Sequence, residues 1–260
     1  LRKTVIVIAV AALLIVAALA YSRYKRGPKI LPAGYHEYAY ITAGKSDTVT
    51  VIDATGFNVV ARLKVGSNPT GLAANPKKNE IYAVNTGSNN VSVIDAEKNQ
   101  VVATIGVHST PYFIDVSQDG HRAYVANSGS ANVSVIDLDH RAVIKTIGVG
   151  GAPGLARVSP DGKIAVVSNR NGNSLSIIDT EKLAVRTTVP VCVNPEDITI
   201  LPDSSKAFVS CSGSNQVAAV DLKNDRLLTL LDVGELPVHL ALKPDGGEIY
   251  TCNFNSHSVS

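Results

Sequence analysis

Ala123-Tyr-Val-Ala-Asn127 is followed by Ser128-Gly-Ser-Ala-Asn132 and then by Val133-Ser-Val-Ile-Asp137. The flanks are rich in β-branched and aromatic residues and the middle in turn formers, so the stretch reads as strand, tight turn, strand. It recurs. Asp53, Asp95, Asp137, Asp179 and Asp221 each close an apolar pair, and successive members are 42 residues apart. Pro69, Pro111, Pro153, Pro195 and Pro237 keep the same 42-residue step. Two unrelated markers in phase over five copies define an internal repeat.

One unit, Pro153 to Val191, shows the content of each. Leu155 to Val158 alternates into Ser159-Pro-Asp-Gly162, where Pro presets φ, Asp bonds its own backbone and Gly accepts a positive φ. Ala165 to Ser168 is a second strand, Arg170-Asn-Gly-Asn173 a hairpin loop, Leu175 to Ile178 a third strand and Ala184 to Val191 a fourth. No segment carries a helical period. Four short strands at a period near 40 define an all-β fold, a β-propeller of four-stranded blades. With no Trp and 5% aromatics, the cores must be built from Val, Ile, Leu and Ala.

The second strands read Tyr82-Ala-Val-Asn85, Tyr124-Val-Ala-Asn127, Val166-Val-Ser-Asn169, Phe208-Val-Ser-Cys211 and Tyr250-Thr-Cys-Asn253. The linkers Val65-Gly-Ser-Asn-Pro69 and Val149-Gly-Gly-Ala-Pro153 complete the pattern. Over residues 39–260 the chain resembles the YVTN-type β-propeller repeat family. The resemblance implies an exported, seven-bladed propeller, for the most part without catalytic activity, and lends no catalytic residues. The departures are Ala43 and Cys211 at the Asn position, Lys77 at the turn Asp, and His108 and Cys192 at the loop Gly.

Residues 1–26 stand outside the repeat. Val5 to Ala20 is an unbroken apolar run between Arg2-Lys3 and Tyr21-Ser-Arg-Tyr-Lys-Arg26. As an apolar helix over residues 4–20, it fits an uncleaved signal anchor, with aromatic and basic residues at the interface. Ala18-Leu-Ala20 also fits the cleavage site of a secretory signal. Either reading exports the domain, to the periplasm or the cell surface. Residues 27–38 are a Pro/Gly linker, and the propeller occupies 39–260. The first unit lacks a Pro-led strand, and the sixth stops at Val259-Ser260, inside its third strand. The expectation is a chain truncated in its sixth unit, with roughly six to eight blades when complete and seven preferred.

Five of the 24 basic residues precede residue 27 and none of the 22 acidic ones do. The propeller is therefore mildly acidic, and no nucleic-acid partner is expected.

Residues that recur in every unit are architecture, so function belongs where units differ. The Asp and Asn series are read as turn and strand-end ties. On the Pro-led strand the third and fifth residues after Pro are apolar and pack between blades. The second and fourth face the channel: Gly71 and Ala73, Phe113 and Asp115, Leu155 and Arg157, Asp197 and Thr199, His239 and Ala241. Asp115 with Arg157, and Asp197 with His239, fall at equal heights on neighbouring blades. These four are ligand-binding candidates, joined by His108, Tyr112, Glu196 and Glu235 on the loops at that end. The hairpin loops there add Arg170 and His257.

The primary expectation is a monomeric, non-enzymatic binding protein that meets an envelope protein or a glycan through its loop-rich face. The alternative is a lactonase-like hydrolase with Asp197 and His239 as an acid/base pair. No haem, zinc or calcium pattern occurs, so no cofactor or metal is expected. Cys192, Cys211 and Cys252 are expected to be buried free thiols, because Cys211 and Cys252 sit on adjacent blades, beyond bridging reach.

Overall fold

The period-two alternation of the second strands decides how the sheets stack. On β5 (Glu80–Asn85), Tyr82 and Val84 project to one face and Ala83 to the other, and all three are buried. Only a sheet covered on both sides accepts such a strand. The computed structural model describes residues 37–260, and within it six antiparallel sheets follow one another along the chain.

Four sheets have four strands in sequential order. They are β4 (Pro69–Ala74) with β5, β6 (Asn90–Asp95) and β7 (Gln100–Gly106); β8 (Pro111–Val116), β9 (Arg122–Asn127), β10 (Asn132–Asp137) and β11 (Ala142–Gly148); β12 (Pro153–Val158), β13 (Ile164–Asn169), β14 (Ser174–Asp179) and β15 (Ala184–Pro190); and β16 (Pro195–Ile200), β17 (Lys206–Cys211), β18 (Gln216–Asp221) and β19 (Arg226–Asp232). The first sheet holds β1 (Tyr38–Ala43), β2 (Thr48–Asp53) and β3 (Asn58–Lys64), and the sixth β20 (Pro237–Leu242), β21 (Ile249–Asn253) and β22 (Ser258–Val259). The expected helix at residues 4–20 lies outside the described residues, as does most of the linker. Among the described residues no helix is long and apolar enough to cross a membrane.

The cores lie between blades. Tyr82, Val84, Val91 and Val93 pack against Ile114, Val116, Ala123, Val125 and Ile136 of the next blade. Tyr124, Ala126, Val133 and Val135 meet Ala156, Ala165, Val167 and Ile178. Burying each Val or Ile among them is worth about 1.5–3 kcal/mol and each Ala less, so both interfaces hold several of these increments. Of the apolar third and fifth residues after Pro, Ile114 with Val116 and Ala156 with Val158 join these layers, whereas Ala74, expected to pack there, is exposed and its neighbour Ala73 packs against the core instead.

The recurrent polar residues are ties. Oδ1 of Asp95 accepts the N–H groups of Glu97 and Lys98, and Asp137 and Asp179 repeat the turn. These bonds hold the three carboxyls below their ordinary value. Asn127 Nδ2 donates to Asn132 Oδ1 at 2.8 Å and to Ser134 Oγ at 2.9 Å, joining strands two and three of its blade. Asn85, Asn169 and Asn253 do the same. A further tie joins blade to blade: the last residue of a hairpin, at positive φ, accepts the N–H of the last residue of the next entry loop. Asp47 so holds Asn68, Asn89 holds Thr110, Asn173 holds Asn194 and Asn215 holds Leu236. Between the third and fourth blades the hairpin residue is Ala131, which has no acceptor to offer.

The cysteines do not behave as expected. Cys192 and Cys211 form a disulfide with Cα atoms 5.8 Å apart, and Cys252 is exposed and free. The physical reason lies in the repeat. Cys192 takes the loop-Gly position and Cys211 the Asn position of one unit, and these positions touch in other units. A Cβ placed on Gly150 would lie 2.7 Å from Asn169 Cβ, and one on Gly66 2.7 Å from Asn85 Cβ. Two cysteines at facing positions are within bridging reach.

Candidate binding site

The Pro-led strands pack side by side: β4 on β8, β8 on β12, β12 on β16 and β16 on β20. Their channel-facing side chains therefore converge, and Asp115, Arg157, Asp197 and His239 form one continuous line across four blades. Arg157 Nη1 stands 3.9 Å from Asp115 Oδ1, and Arg157 Nη2 stands 3.8 Å from Asp197 Oδ1. His239 Nδ1 is 3.6 Å from Asp197 Oδ2. The reach of Arg157 to Asp197 joins the two expected pairs into one array.

The carboxylates are also blade-to-blade ties. Asp115 Oδ2 accepts Val158 N–H at 2.8 Å, and Asp197 Oδ2 accepts Leu240 N–H at 3.0 Å. Asp197 Oδ1 takes its neighbour Ile198 N–H at 2.8 Å. Burial pushes the Asp115 carboxyl above its ordinary value, against the Val158 N–H and the Arg157 guanidinium, which pull it down. Asp197 is thus engaged by backbone on both oxygens, whereas His239 is 79% exposed and outside hydrogen-bond distance. A general base needs a hydrogen bond to the proton it handles, and this pair is arranged as a tie beside a solvated imidazole.

A second layer lies nearer the loops. Arg170, from the β13–β14 hairpin, places its guanidinium 4.1 Å from the Tyr112 ring centre and its Nε 2.9 Å from Glu196 Oε2. Gly154 makes room for it: a Cβ there would lie 2.6 Å from Arg170 Nε. Glu196 Oε1 accepts from Asn194 Nδ2 at 2.8 Å, and the same Nδ2 bonds Ser212 Oγ. Arg157 sits 4.9 Å from the Phe113 ring centre, so both aromatic faces carry a guanidinium. Between the layers is a cavity of about 310 Å³ lined by Tyr112, Phe113, Leu155, Arg157, Arg170, Glu196, Asp197 and His239, with Thr70, Gly71, Leu72 and Val238.

The structure thus brings Tyr112, Arg157, Glu196, Asp197 and His239 to one cavity, with Asp115 behind Arg157. His108 and Glu235 do not join them. His108 Nε2 lies 3.0 Å from Thr146 Oγ1 on β11, the outer strand of its own blade. Glu235 is exposed on the loop before β20. His257 is likewise exposed, in the last hairpin. Phe113, expected on the channel face, and Arg170, expected on the hairpin rim, stand outside the ligand-binding candidates, yet both line the cavity. The signal for Phe113 was its position two residues after Pro111, level with Leu155 on the next strand. Among the described residues no three His, Cys, Asp or Glu side chains converge to hold a metal ion.

Blades of this pattern, packed through their Pro-led strands around one cavity, define a repeat β-propeller of YVTN-like units. A family model described as YNCE-like beta-propeller matches residues 29–159, half of the chain, and the protein belongs to that family. No curated protein matches the sequence. Among solved structures, a functionally unknown protein from Desulfotomaculum acetoxidans superposes with a TM-score of 0.74 at 16% identity, covering 86% of this chain and 78% of that one. Hydrazine synthase from Kuenenia stuttgartiensis superposes with a TM-score of 0.59 at 21% identity, over 86% of this chain and 91% of that one. At these identities the likeness concerns the fold.

Proposed function

We propose that the protein is an exported, non-enzymatic propeller that binds an envelope partner or glycan at the cavity on its loop-rich face. The observation that carries this reading is the cavity itself. Its charged lining comes from positions where the repeat is broken, on strands whose other residues repeat. A few convergent polar groups beside apolar walls are the usual make-up of a binding site. Asp197 is held by two backbone amides, which favours binding over the hydrolase alternative. The Cys192–Cys211 bridge suits an oxidising compartment, in keeping with an N-terminal segment that exports or anchors the domain.

Retention of envelope-extract components on the immobilised propeller tests the reading, with Tyr112→Ala and Glu196→Ala compared with Lys98→Ala on the opposite face. The two cavity variants are expected to lose the retained component while Lys98→Ala keeps it. Equal recovery from all three would remove the cavity from the account.

A further inference from the structure

Arg157 is charge-balanced yet keeps its donors. Its Nε donates to Ile198 O at 3.4 Å, and among the described residues neither Nη makes a hydrogen bond. The carboxylates at 3.8 and 3.9 Å compensate its charge without occupying the fork. The remaining charges narrow the ligand. The lining sets Arg157 and Arg170 against Glu196 and Asp197, so its formal charges balance, and with Asp115 behind Arg157 an anion gains no net attraction. A cation finds both aromatic faces already covered by guanidinium groups.

The loops around the cavity point the same way. Between strands on this face, five of the eleven loops among the described residues read Val65-Gly-Ser-Asn68, Thr86-Gly-Ser-Asn89, Ser128-Gly-Ser-Ala131, Val149-Gly-Gly-Ala152 and Ser212-Gly-Ser-Asn215, and of the other six only three carry Asp, Glu, Lys or Arg. Such Ser/Gly/Asn loops supply neutral, adaptable hydrogen bonding, as they do in antibody paratopes.

We propose that the cavity takes the end of a neutral glycan, with a vicinal hydroxyl pair on the Arg157 Nη fork and the sugar's C–H face against Phe113 and Leu155. Hydroxyls both donate and accept, so the same unit satisfies Arg157 and the Glu196 side. The cavity, about 310 Å³, is at the lower end of small-molecule sites and suits a short terminal unit rather than a long chain. This inference rests on the binding reading above and adds the ligand class.

The test is a printed array of neutral, sialylated and sulfated glycans beside an array of N-acetylated, C-amidated uncharged peptides. Wild type, Arg157→Ala, Arg157→Lys and Lys98→Ala are compared, each with its melting midpoint recorded. Wild type and Lys98→Ala are expected to retain neutral glycans, and to keep them in about 0.5 M salt. Arg157→Ala should weaken retention about tenfold or more, and Arg157→Lys, which keeps charge but loses the planar fork, by less. A preference for sialylated or sulfated glycans overturns the neutral class. Equal retention by a folded Arg157→Ala overturns the site, and if that variant does not fold, equal retention by Arg157→Lys does so. Peptide retention lost on changing Arg157 overturns the glycan while preserving the binding reading. Two blank arrays count against both.

Discussion

The two ends of the blade stack are built from the same strands and carry opposite chemistry. On the end away from the cavity the inter-strand loops read Asn75-Pro-Lys-Lys-Asn79, Ala96-Glu-Lys-Asn99, Leu138-Asp-His-Arg141 and Thr180-Glu-Lys-Leu183. Their charges are spent locally: Lys98 on Asp95, Lys182 on Asp179, Lys78 and His121 on Asp139. On the cavity end, among the described residues, only Lys45, Asp47, Arg170 and Glu235 in the inter-strand loops are Asp, Glu, Lys or Arg. The charge on that side is gathered instead inside the cavity. Exposed local pairs contribute little to stability and mostly keep a surface solvated. A neutral rim around a charged, partly buried centre is poor surface chemistry for solubility and good chemistry for selecting a ligand. The difference teaches that one end keeps its charge in solvent while the other gathers it in a cavity, which is the arrangement the proposed binding role requires.

The largest expected effect concerns the covalent tie at the cavity end. Replacing Cys192 and Cys211 by Ser opens a loop with a sequence separation of 19. That should lower stability by about 3 kcal/mol in urea denaturation, and reducing agent should do the same to wild type. An insensitive protein would mean that the entry loop holding Asn194, and with it Glu196, which lies on β16 and not on a loop as expected, is fixed by packing alone. Next comes the repeated tie. Asn127→Ala removes one buried and one part-buried donor bond and leaves Ser134 Oγ short of a partner in the interior, which should cost about 2 kcal/mol. Smaller, and opposite in sign, is Ala131→Asn. It offers Ala152 N–H the acceptor that four other blade boundaries have, and it suits the positive φ of 49° at that position. A gain of about 0.5–1 kcal/mol is expected in the same denaturation assay.

The smallest effect is in pH. Asp95, Asp137 and Asp179 have folded-state values below their ordinary ones, so their contribution is present above about pH 4 and is lost as acid protonates them. Asp115 is raised, and the sign reverses: stability falls as pH climbs from the ordinary carboxylate range through its folded value. Asp115→Asn keeps an acceptor for Val158 N–H and removes the buried charge. Its denaturation midpoint should lie above wild type near neutral pH and merge with it in acid. A wild-type curve above that of the variant at neutral pH would mean that Asp115 serves the fold as an ion-pair partner.

The fold was legible because it is written several times. Markers of different chemistry, Asp, Pro, Asn and the Tyr82/Tyr124 series, keep one phase, and chance does not reproduce that. The disulfide was legible in the same way but only across positions. Cys192 and Cys211 break the repeat in one unit at places that touch in its neighbours, and comparing Cys211 with Cys252 looked along the wrong direction. The site was partly legible. Equal height on neighbouring strands found Asp115 with Arg157 and Asp197 with His239. It could not find Arg157 with Asp197, since a long side chain also reaches the diagonal neighbour. Loop residues were less tractable, because alternation fixes the side of a strand residue and says nothing about a loop. His108 therefore turns to Thr146 and Glu235 to solvent, while Arg170, from a hairpin, lies across Gly154 into the cavity.

The central claim is that the repeated Asn ties hold the fold whereas Arg157, unlike the neighbouring carboxylates Asp115 and Asp197 that tie blade to blade, serves recognition. The melting midpoint of Arg157→Ala against that of Asn127→Ala tests it most directly. The account predicts a clear fall for Asn127→Ala and, for Arg157→Ala, a midpoint close to wild type, because its ion pairs are long and its fork is unused. A fall of equal size in both variants would contradict it and make the cavity part of the scaffold.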